Sequence, residues 1–172
     1  MIKIIVIILF IIFFLWVLLY SGTEASFIES LKVNGGGYIT SIAVDPNSPN
    51  IVYGSSDLGG MYKSTNYGDE WTIINNGLVT DADLAIATIA IDPQNSSVVY
   101  IGTGHIWGTP SGNYGGIFKT VNGGADWQLI TRKVKFAAVG TFDVQGRLIV
   151  VDPENSSIVY AGSHRDGIFK ST

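Results

Sequence analysis

The chain has 172 residues, of which 47% are hydrophobic and 12% aromatic, and its length is sufficient for one domain with its own core. It contains 21 glycines and no cysteine, a composition that favours an all-β protein and excludes disulfides, thiolate metal sites and a cysteine nucleophile. A formal net charge of −4, without any cluster of lysines and arginines, argues against a nucleic acid as partner.

An uncharged apolar run extends over Ile4–Tyr20, directly after Lys3. Its length lies between that of a signal-peptide core and that of a membrane span. Because Thr23 and Ala25 are small enough for a cleavage site, we predict that residues 1–25 are a cleaved signal peptide, with an uncleaved signal anchor as the alternative. The positive charge of Lys3 is expected to stay on the cytoplasmic side in both cases. The rest of the chain is therefore predicted to be secreted, or to be held outside the cell by a membrane anchor.

Repeated sequence dominates the remainder of the chain. Similar stretches begin at Val44, Ile91 and Val151 and read VDPNSPNIVY, IDPQNSSVVY and VDPENSSIVY. Each is followed by a second match, which reads GGMYKST, GGIFKTV or DGIFKST. A period of roughly 45 residues that contains several short strands is typical of β-propeller blades. The sequence therefore predicts an all-β propeller, which is incomplete in this chain because three blades do not close a ring.

Each repeat is predicted to fold as four antiparallel strands. In the first repeat the strands are YITSIAV, IVYGSS, MYKST and EWTIIN, and the turns between them are DPNSPN, DLGG and NYGD. Proline, glycine, aspartate and asparagine favour turns at these places. We predict a partial propeller over residues 27–172, with blades at about 35–78, 84–131 and 145–172, the last of them truncated before its hairpin.

The turns between the third and fourth strands share the pattern Ser/Thr-x-Asn-x-Gly-x-x-Trp. The pattern resembles the Asp-box of β-propellers, with Asn in place of the usual Asp. Asn can bond the amides of the turn, Gly permits a positive φ, and Trp packs a large ring against the next strand. These residues are predicted to be structural, and they are Ser64, Asn66, Gly68 and Trp71 in the first repeat and Thr120, Asn122, Gly124 and Trp127 in the second.

Candidate functional residues are expected at the opposite end of the blades. Successive turns of an antiparallel sheet fall at alternate ends, so the turn that carries Asp57 lies opposite the Asp-box turns. The long connections between blades lie at the same end as Asp57, and loops on a rigid scaffold often carry binding sites. The polar and aromatic residues expected on this surface are Asp57, Asp81, Asp83, His105, Trp107, Tyr114, His164 and Arg165.

The stretch VNGGGYITSIAVDPNSPNIVYGSSDLGGMYKS resembles the start of glycoside hydrolase family 74 (GH74), the xyloglucan-cleaving enzymes. The likeness continues through GTGHIWGTPSGNYGGIFKTVNGGADW and covers nearly all of residues 32–172. The family implies two tandem seven-bladed propellers and inverting hydrolysis of a β-1,4-glucan backbone by two carboxylates. By this resemblance Asp57 matches the aspartate of the family's Asp-Ile-Gly-Gly motif and would be the general base. The general acid would come from a second propeller, which this chain lacks.

Other positions leave alternatives open. Ser55 and Met61 stand where the family usually has Arg and Ala, so we expect a different fit of the substrate, and a turn-capping role is the alternative for Asp57. Aromatic rings stack well on sugar faces. The residues predicted to bind substrate are Trp107, Tyr114, His105, His164 and Arg165. The alternatives are that Trp107 folds back onto its own loop and that the last two residues belong to a solvated turn. Two histidines in loops of different blades make a poor metal site, and no metal or other cofactor is predicted.

The leading functional hypothesis is a secreted glycoside hydrolase that acts on xyloglucan or a related plant-type β-glucan. The alternative is a non-catalytic propeller that binds protein or glycan, as sortilin-type receptors and photosystem assembly factors do. A sialidase is disfavoured because its substrate carboxylate needs an arginine cluster, and only Arg132, Arg147 and Arg165 occur. Since the general acid is expected elsewhere, residues 1–172 alone are expected to be inactive.

Overall fold

The structure is a computed structural model that describes residues 33, 37–105, 114–138, 147–164 and 166–171. The chain divides into Met1–Leu31, which lies outside the described residues together with the predicted signal or anchor, and Lys32–Thr172, which holds every element named below. Within the described ranges, no helix is both long enough and apolar enough to cross a membrane.

The described residues form three antiparallel sheets, here called blades 1 to 3. Blade 1 comprises β1 (Ile39–Val44), β2 (Val52–Ser56), β3 (Gly60–Ser64) and β4 (Thr72–Ile73), and blade 2 comprises β5 (Ile86–Ile91), β6 (Val99–Thr103), β7 (Gly116–Thr120) and β8 (Gln128–Thr131). Blade 3 comprises β9 (Ile149–Val151), β10 (Val159–Ser163) and β11 (Gly167–Lys170). Within each blade, strands adjacent in sequence are adjacent in the sheet. The predicted all-β class and the predicted strand order are confirmed.

One helical turn interrupts the β structure. The segment α1 (Asp81–Leu84) lies in the connection from blade 1 to blade 2, which the sequence pattern did not assign to a helix. Thr80 accepts a hydrogen bond from the backbone N–H of Asp83, whose carboxylate in turn accepts one from the N–H of Thr80. This reciprocal capping satisfies amides that a helix start leaves unpaired.

The blades pack face to face through apolar clusters. The cluster between blades 1 and 2 contains Tyr53, Met61, Leu78, Ile86, Ile89, Val99, Ile101, Phe118 and Trp127. The cluster between blades 2 and 3 contains Ala87, Ala90, Tyr100, Ile117, Val134, Phe136, Ile149, Val151 and Ala161. The central sheet is thus covered on both faces, which explains why the described residues of β6 are all buried instead of alternating with exposed ones.

The Asp-box turns of blades 1 and 2 have the same hydrogen-bond pattern. In blade 1, Ser64 Oγ accepts from the N–H of Gly68 at 2.9 Å, and Asn66 Oδ1 accepts from the N–H of Glu70 at 3.0 Å. In blade 2, Thr120 and Asn122 make the equivalent bonds to Gly124 and Asp126, at 3.0 Å each. Because these bonds use a side-chain oxygen as acceptor, Asn provides what an Asp would provide in the same place.

The Asp-box hairpin of blade 2 docks onto blade 1. The carbonyl oxygen of Gly123 accepts hydrogen bonds from the Tyr53 hydroxyl at 3.1 Å and from Lys63 Nζ at 2.8 Å. Burial, and to a smaller extent the negative charge of Asp45, raise the pKa of Tyr53 to about 12, so its hydroxyl stays a donor at neutral pH. The ring of Trp127 is buried beside this contact, and its Nε1 donates to the carbonyl of Ile74 at 2.7 Å.

A second set of bonds ties the Asp-Pro turns of neighbouring blades together. Asp45 Oδ1 accepts from the N–H of Asn47 in its own turn at 2.9 Å and from Ser96 Oγ of blade 2 at 2.6 Å. Asp92 repeats the arrangement with Ser156 Oγ of blade 3 at 2.8 Å. The aspartate therefore caps its own turn, as the sequence predicted, and also binds the next blade, which the sequence did not reveal.

Trp127→Phe is expected to lower the free energy of unfolding by about 0.5–1.5 kcal/mol, because the carbonyl of the partly buried Ile74 loses its donor. Trp71 is the matched control: it occupies the same position in blade 1, but its buried Nε1 has no hydrogen-bond partner among the described residues. Trp71→Phe should therefore cost less. Urea unfolding followed by circular dichroism measures both losses, and equal losses would contradict the assigned role of the Ile74 bond.

Candidate active site

The turn between β2 and β3 is a capped corner that carries Asp57. Ser56, the last residue of β2, accepts hydrogen bonds at Oγ from the backbone N–H groups of Leu58 at 3.3 Å and Gly59 at 2.7 Å. Gly60 opens β3 with a φ of +82°, a conformation that L side chains rarely adopt. The chain therefore reverses here in one defined conformation.

Asp57 is held by the segment that precedes β1. Its N–H donates to the carbonyl of Tyr38 at 3.0 Å, and its Oδ1 accepts from the N–H of Tyr38 at 2.7 Å. A Cβ on Gly37 would lie 2.7 Å from Oδ1 and 2.5 Å from Ser56 Oγ, so only glycine fits beside the corner. Gly37, the last glycine of the glycine-rich segment, and Tyr38, which follows it, are therefore in contact with the Ser-Asp-Leu-Gly-Gly turn.

The two carboxylate oxygens of Asp57 have different environments. Oδ1 is anchored on Tyr38, whereas Oδ2 makes no hydrogen bond to the described residues. The residue itself is partly exposed. A carboxylate that is fixed through one oxygen can offer the other to a water molecule, which is the geometry that a general base requires.

Asn75, which the sequence analysis did not single out, contacts the same corner from the other side. Its Oδ1 accepts from the N–H of Met61 at 2.8 Å, and its Nδ2 donates to the carbonyl of Gly59 at 3.0 Å. Asn75 lies just after β4, so the end of the fourth strand supports the turn between the second and third. No residue pattern announces this contact, because both partners are main-chain groups.

Asp83 is not part of an open surface, contrary to expectation. It is 1% exposed, and its Oδ1 lies 2.9 Å from Nη1 of Arg132 in an ion pair. Burial alone would raise the pKa of Asp83, but hydrogen bonds from Arg132 and Thr80, together with the charge of Arg132, lower it overall. Asp83 therefore stays ionised, and its ion pair with Arg132 connects α1 to the end of blade 2.

The predicted sugar-binding residues are only partly brought together. Tyr114 is 44% exposed with Lys135 Nζ 5.4 Å from its ring centre, and the N–H of the exposed His164 donates to the carbonyl of Lys135 at 2.8 Å. Lys135 thus joins these two residues. His105 is partly buried, and its Nδ1 has no partner among the described residues. Trp107 and Arg165 lie outside the described residues.

Asp57 stands apart from that group. Its hydrogen bonds to described residues go to Tyr38, and no described contact joins it to Tyr114, His105 or His164. In the described ranges, no group of three or more His, Cys, Asp or Glu residues could hold a metal ion. The geometry on this end of the blades therefore offers one anchored carboxylate and, separately, an aromatic and basic cluster around Lys135.

Comparison with known proteins shows which proteins the chain is similar to. No family model matches the chain. A xyloglucanase of Hypocrea jecorina is 30% identical over 142 residues, which are 80% of this chain and 17% of that protein. The structure of a GH74 enzyme from Niastella koreensis superposes with a TM-score of 0.70 at 25% identity, over 83% of this chain and 21% of the other. Over most of its own length the chain is therefore similar to a xyloglucanase and to a GH74 enzyme.

A further solved structure supports the fold. The GH74 xyloglucanase from Xanthomonas campestris superposes with a TM-score of 0.71 at 23% identity, over 83% of this chain and 20% of that one. The family resemblance predicted from the sequence is confirmed. The chain spans 17% of the length of the Hypocrea jecorina protein.

Two residues that depart from the family's motif are buried. Ser55 is 0% exposed, and its Oγ lies 2.9 Å from Thr40 Oγ1. Met61 is also 0% exposed and belongs to the cluster between blades 1 and 2. Neither side chain is exposed at the surface near Asp57. That the two departures change the fit of the substrate stays a prediction.

Proposed function

We propose that the protein is a secreted glycoside hydrolase that cleaves the β-1,4-glucan backbone of xyloglucan or a related plant-type polysaccharide with inversion. Asp57 is the general base. The observation that carries the proposal is the corner around Asp57: a family 74 motif position whose carboxylate is anchored through Oδ1 on Tyr38, while Oδ2 makes no hydrogen bond to the residues that the structure describes. The similarity to xyloglucanases over 80% of the chain supports the substrate class.

The mechanism requires a second carboxylic acid. In inverting hydrolysis the base removes a proton from water as that water attacks the anomeric carbon, and the acid protonates the leaving oxygen. The two carboxyl groups lie roughly 6.5–9.5 Å apart, which leaves room for the water. We assign the acid to a second propeller, as the family resemblance implies.

The remaining assignments complete the proposal. Residues 1–25 direct export as a signal peptide, or keep the protein on the membrane through Ile4–Tyr20, with the propeller outside the cell. Residues 27–172 form blades of the catalytic propeller. The residues that contact the sugar chain are Trp107, Tyr114, His105, His164 and Arg165. Tyr114 supports this assignment because its ring is exposed and adjoins a lysine, a setting suited to stacking on sugars.

Hydrolysis of xyloglucan by the full-length protein tests the proposed function. Reducing ends should appear, and proton NMR should show the α-anomer of the new reducing end before mutarotation, because inversion converts a β-linkage into an α-hemiacetal. Residues 1–172 alone, as a matched control, should release no sugar. Initial formation of the β-anomer would contradict inversion. Binding of xyloglucan in affinity gels without any release would favour the non-catalytic alternative.

A further inference from the structure

We infer that Asn75 is a positioning residue for the proposed general base. It holds the far side of the corner that carries Asp57. This inference rests on the proposed role of Asp57 and concerns a side chain that does not touch the reacting atoms.

A single side-chain amide fixes both peptide groups that flank Gly60. Its oxygen accepts from the N–H of Met61 and its nitrogen donates to the carbonyl of Gly59, at 2.8 and 3.0 Å. A Cβ on Gly60 would lie 2.3 Å from Asn75 Oδ1, so the amide lies directly over this glycine. Only a side chain with a donor and an acceptor at this reach makes both bonds.

The corner is then clamped from two directions. Tyr38 binds the main chain and the carboxylate of Asp57, and Ser56 Oγ caps the N–H of Gly59. Asn75 holds the carbonyl of the same Gly59. Since Asp57 lies two residues before Gly59, release of the Asn75 clamp would free one end of the corner and loosen the position of the unengaged carboxylate oxygen.

Blade 2 has a clamp at the corresponding place, which indicates that the fourth strand regularly supports this turn. Arg132 Nη1 donates to the carbonyl of Gly115 at 3.0 Å, and Gly115 precedes the first residue of β7 as Gly59 precedes the first residue of β3. The two clamps differ in charge. A guanidinium beside the blade 1 turn would attract a carboxylate, whereas the neutral amide of Asn75 fixes the backbone without offering Asp57 a cationic partner.

Kinetics of the full-length protein on xyloglucan test the inference. Asn75→Ala should lower kcat by about 10- to 100-fold with little change in KM, because a small misplacement of a catalytic group reduces turnover more than binding. Asn76→Ala is the matched control: the Asn76 amide donates to Ala125 and Asp126, away from the corner, and this variant should keep the parent kcat. In an Asp57→Asn background, Asn75→Ala should cause no further loss, since no base remains to be positioned.

The outcomes separate the two proposals. Loss of activity in Asp57→Asn with parent kcat in Asn75→Ala would overturn the positioning role alone. An equal loss from Asn75→Ala in both backgrounds would show a purely structural effect and would also overturn it. Parent activity in Asp57→Asn would remove both Asp57 and Asn75 from the mechanism. If Asn75→Ala does not fold, Asn75→Ser takes its place, because serine is polar but too short to reach both peptide groups.

Discussion

Asp57→Asn should lower kcat of the full-length protein on xyloglucan by about 10²–10⁴-fold, the typical contribution of a general base. An asparagine oxygen can still accept the Tyr38 N–H, so the corner should keep its shape and KM should change little. Release of reducing ends measures the effect. Asp69→Asn, which neutralises an exposed carboxylate in the Asp-box turn of blade 1, is the matched control and should retain full activity.

Azide provides a second test of the same residue. With Asp57→Ala, azide can enter the space left by the carboxylate and attack the anomeric carbon as the glycosidic C–O bond breaks, while the general acid protonates the leaving oxygen. Azide needs no deprotonation, so turnover should recover and the product should be an α-glycosyl azide. Parent activity in the Asp57→Asn variant, or a β-configured azide product, would refute the assignment of Asp57 as an inverting base.

Arg132→Met should destabilise the fold by about 1–3 kcal/mol, because it leaves the buried carboxylate of Asp83 without its partly exposed counter-charge. The carbonyl of Gly115 also loses its donor. Lys133→Met is the matched control, since Lys133 is an exposed neighbour that loses the same kind of charge. Chemical denaturation of the chain measures both free energies of unfolding. Equal effects of the two substitutions would mean that the ion pair contributes nothing specific.

The stability difference between Arg132→Met and the parent should depend on pH, because it arises from the charge of Asp83. In the parent chain the pKa of Asp83 lies below its ordinary value of 3.8, so its contribution to stability is complete above that pH and is lost as pH falls through the lower folded value. Without Arg132, two of the causes that lower the pKa of Asp83 are removed while its burial and its hydrogen bonds from Thr80 remain, so its folded pKa should be higher than in the parent and the variant should lose less stability as pH falls. The difference between Arg132→Met and the parent should therefore shrink from about pH 7 to about pH 3. A constant difference would contradict this.

The repeats predicted most of the architecture because they record local geometry. Turn residues and β-branched runs recur with each blade. Because successive turns of an antiparallel sheet lie at alternate ends, the strand order alone predicted that Asp57 lies opposite the Asp-box turns. The helix α1 was not predicted, because a single turn is too short to show helical periodicity. Thr80 and Asp83 nevertheless have the spacing of a capping pair.

The candidate site was less predictable because its supports are non-local. Asp83 and Arg132 are 49 residues apart in sequence, and nothing in either segment indicates that they meet. Asn75 acts on main-chain groups, which every residue possesses, so its side chain leaves no recognisable partner in the sequence. Ser55 and Met61 were identified by motif position as departures from the family, but the motif does not reveal that both side chains are buried.

The three blades differ in whether their Asp-Pro turn can donate a side-chain hydrogen bond to the preceding blade. Ser96 and Ser156 supply the donor to the preceding blade, whereas the corresponding residue of the first blade is Pro49, which has no hydroxyl. In a circularly permuted or duplicated protein in which the first blade followed another, the hydrogen bond between the two Asp-Pro turns would therefore be missing at the new junction. Pro49→Ser would be the natural companion change in such a rearranged protein.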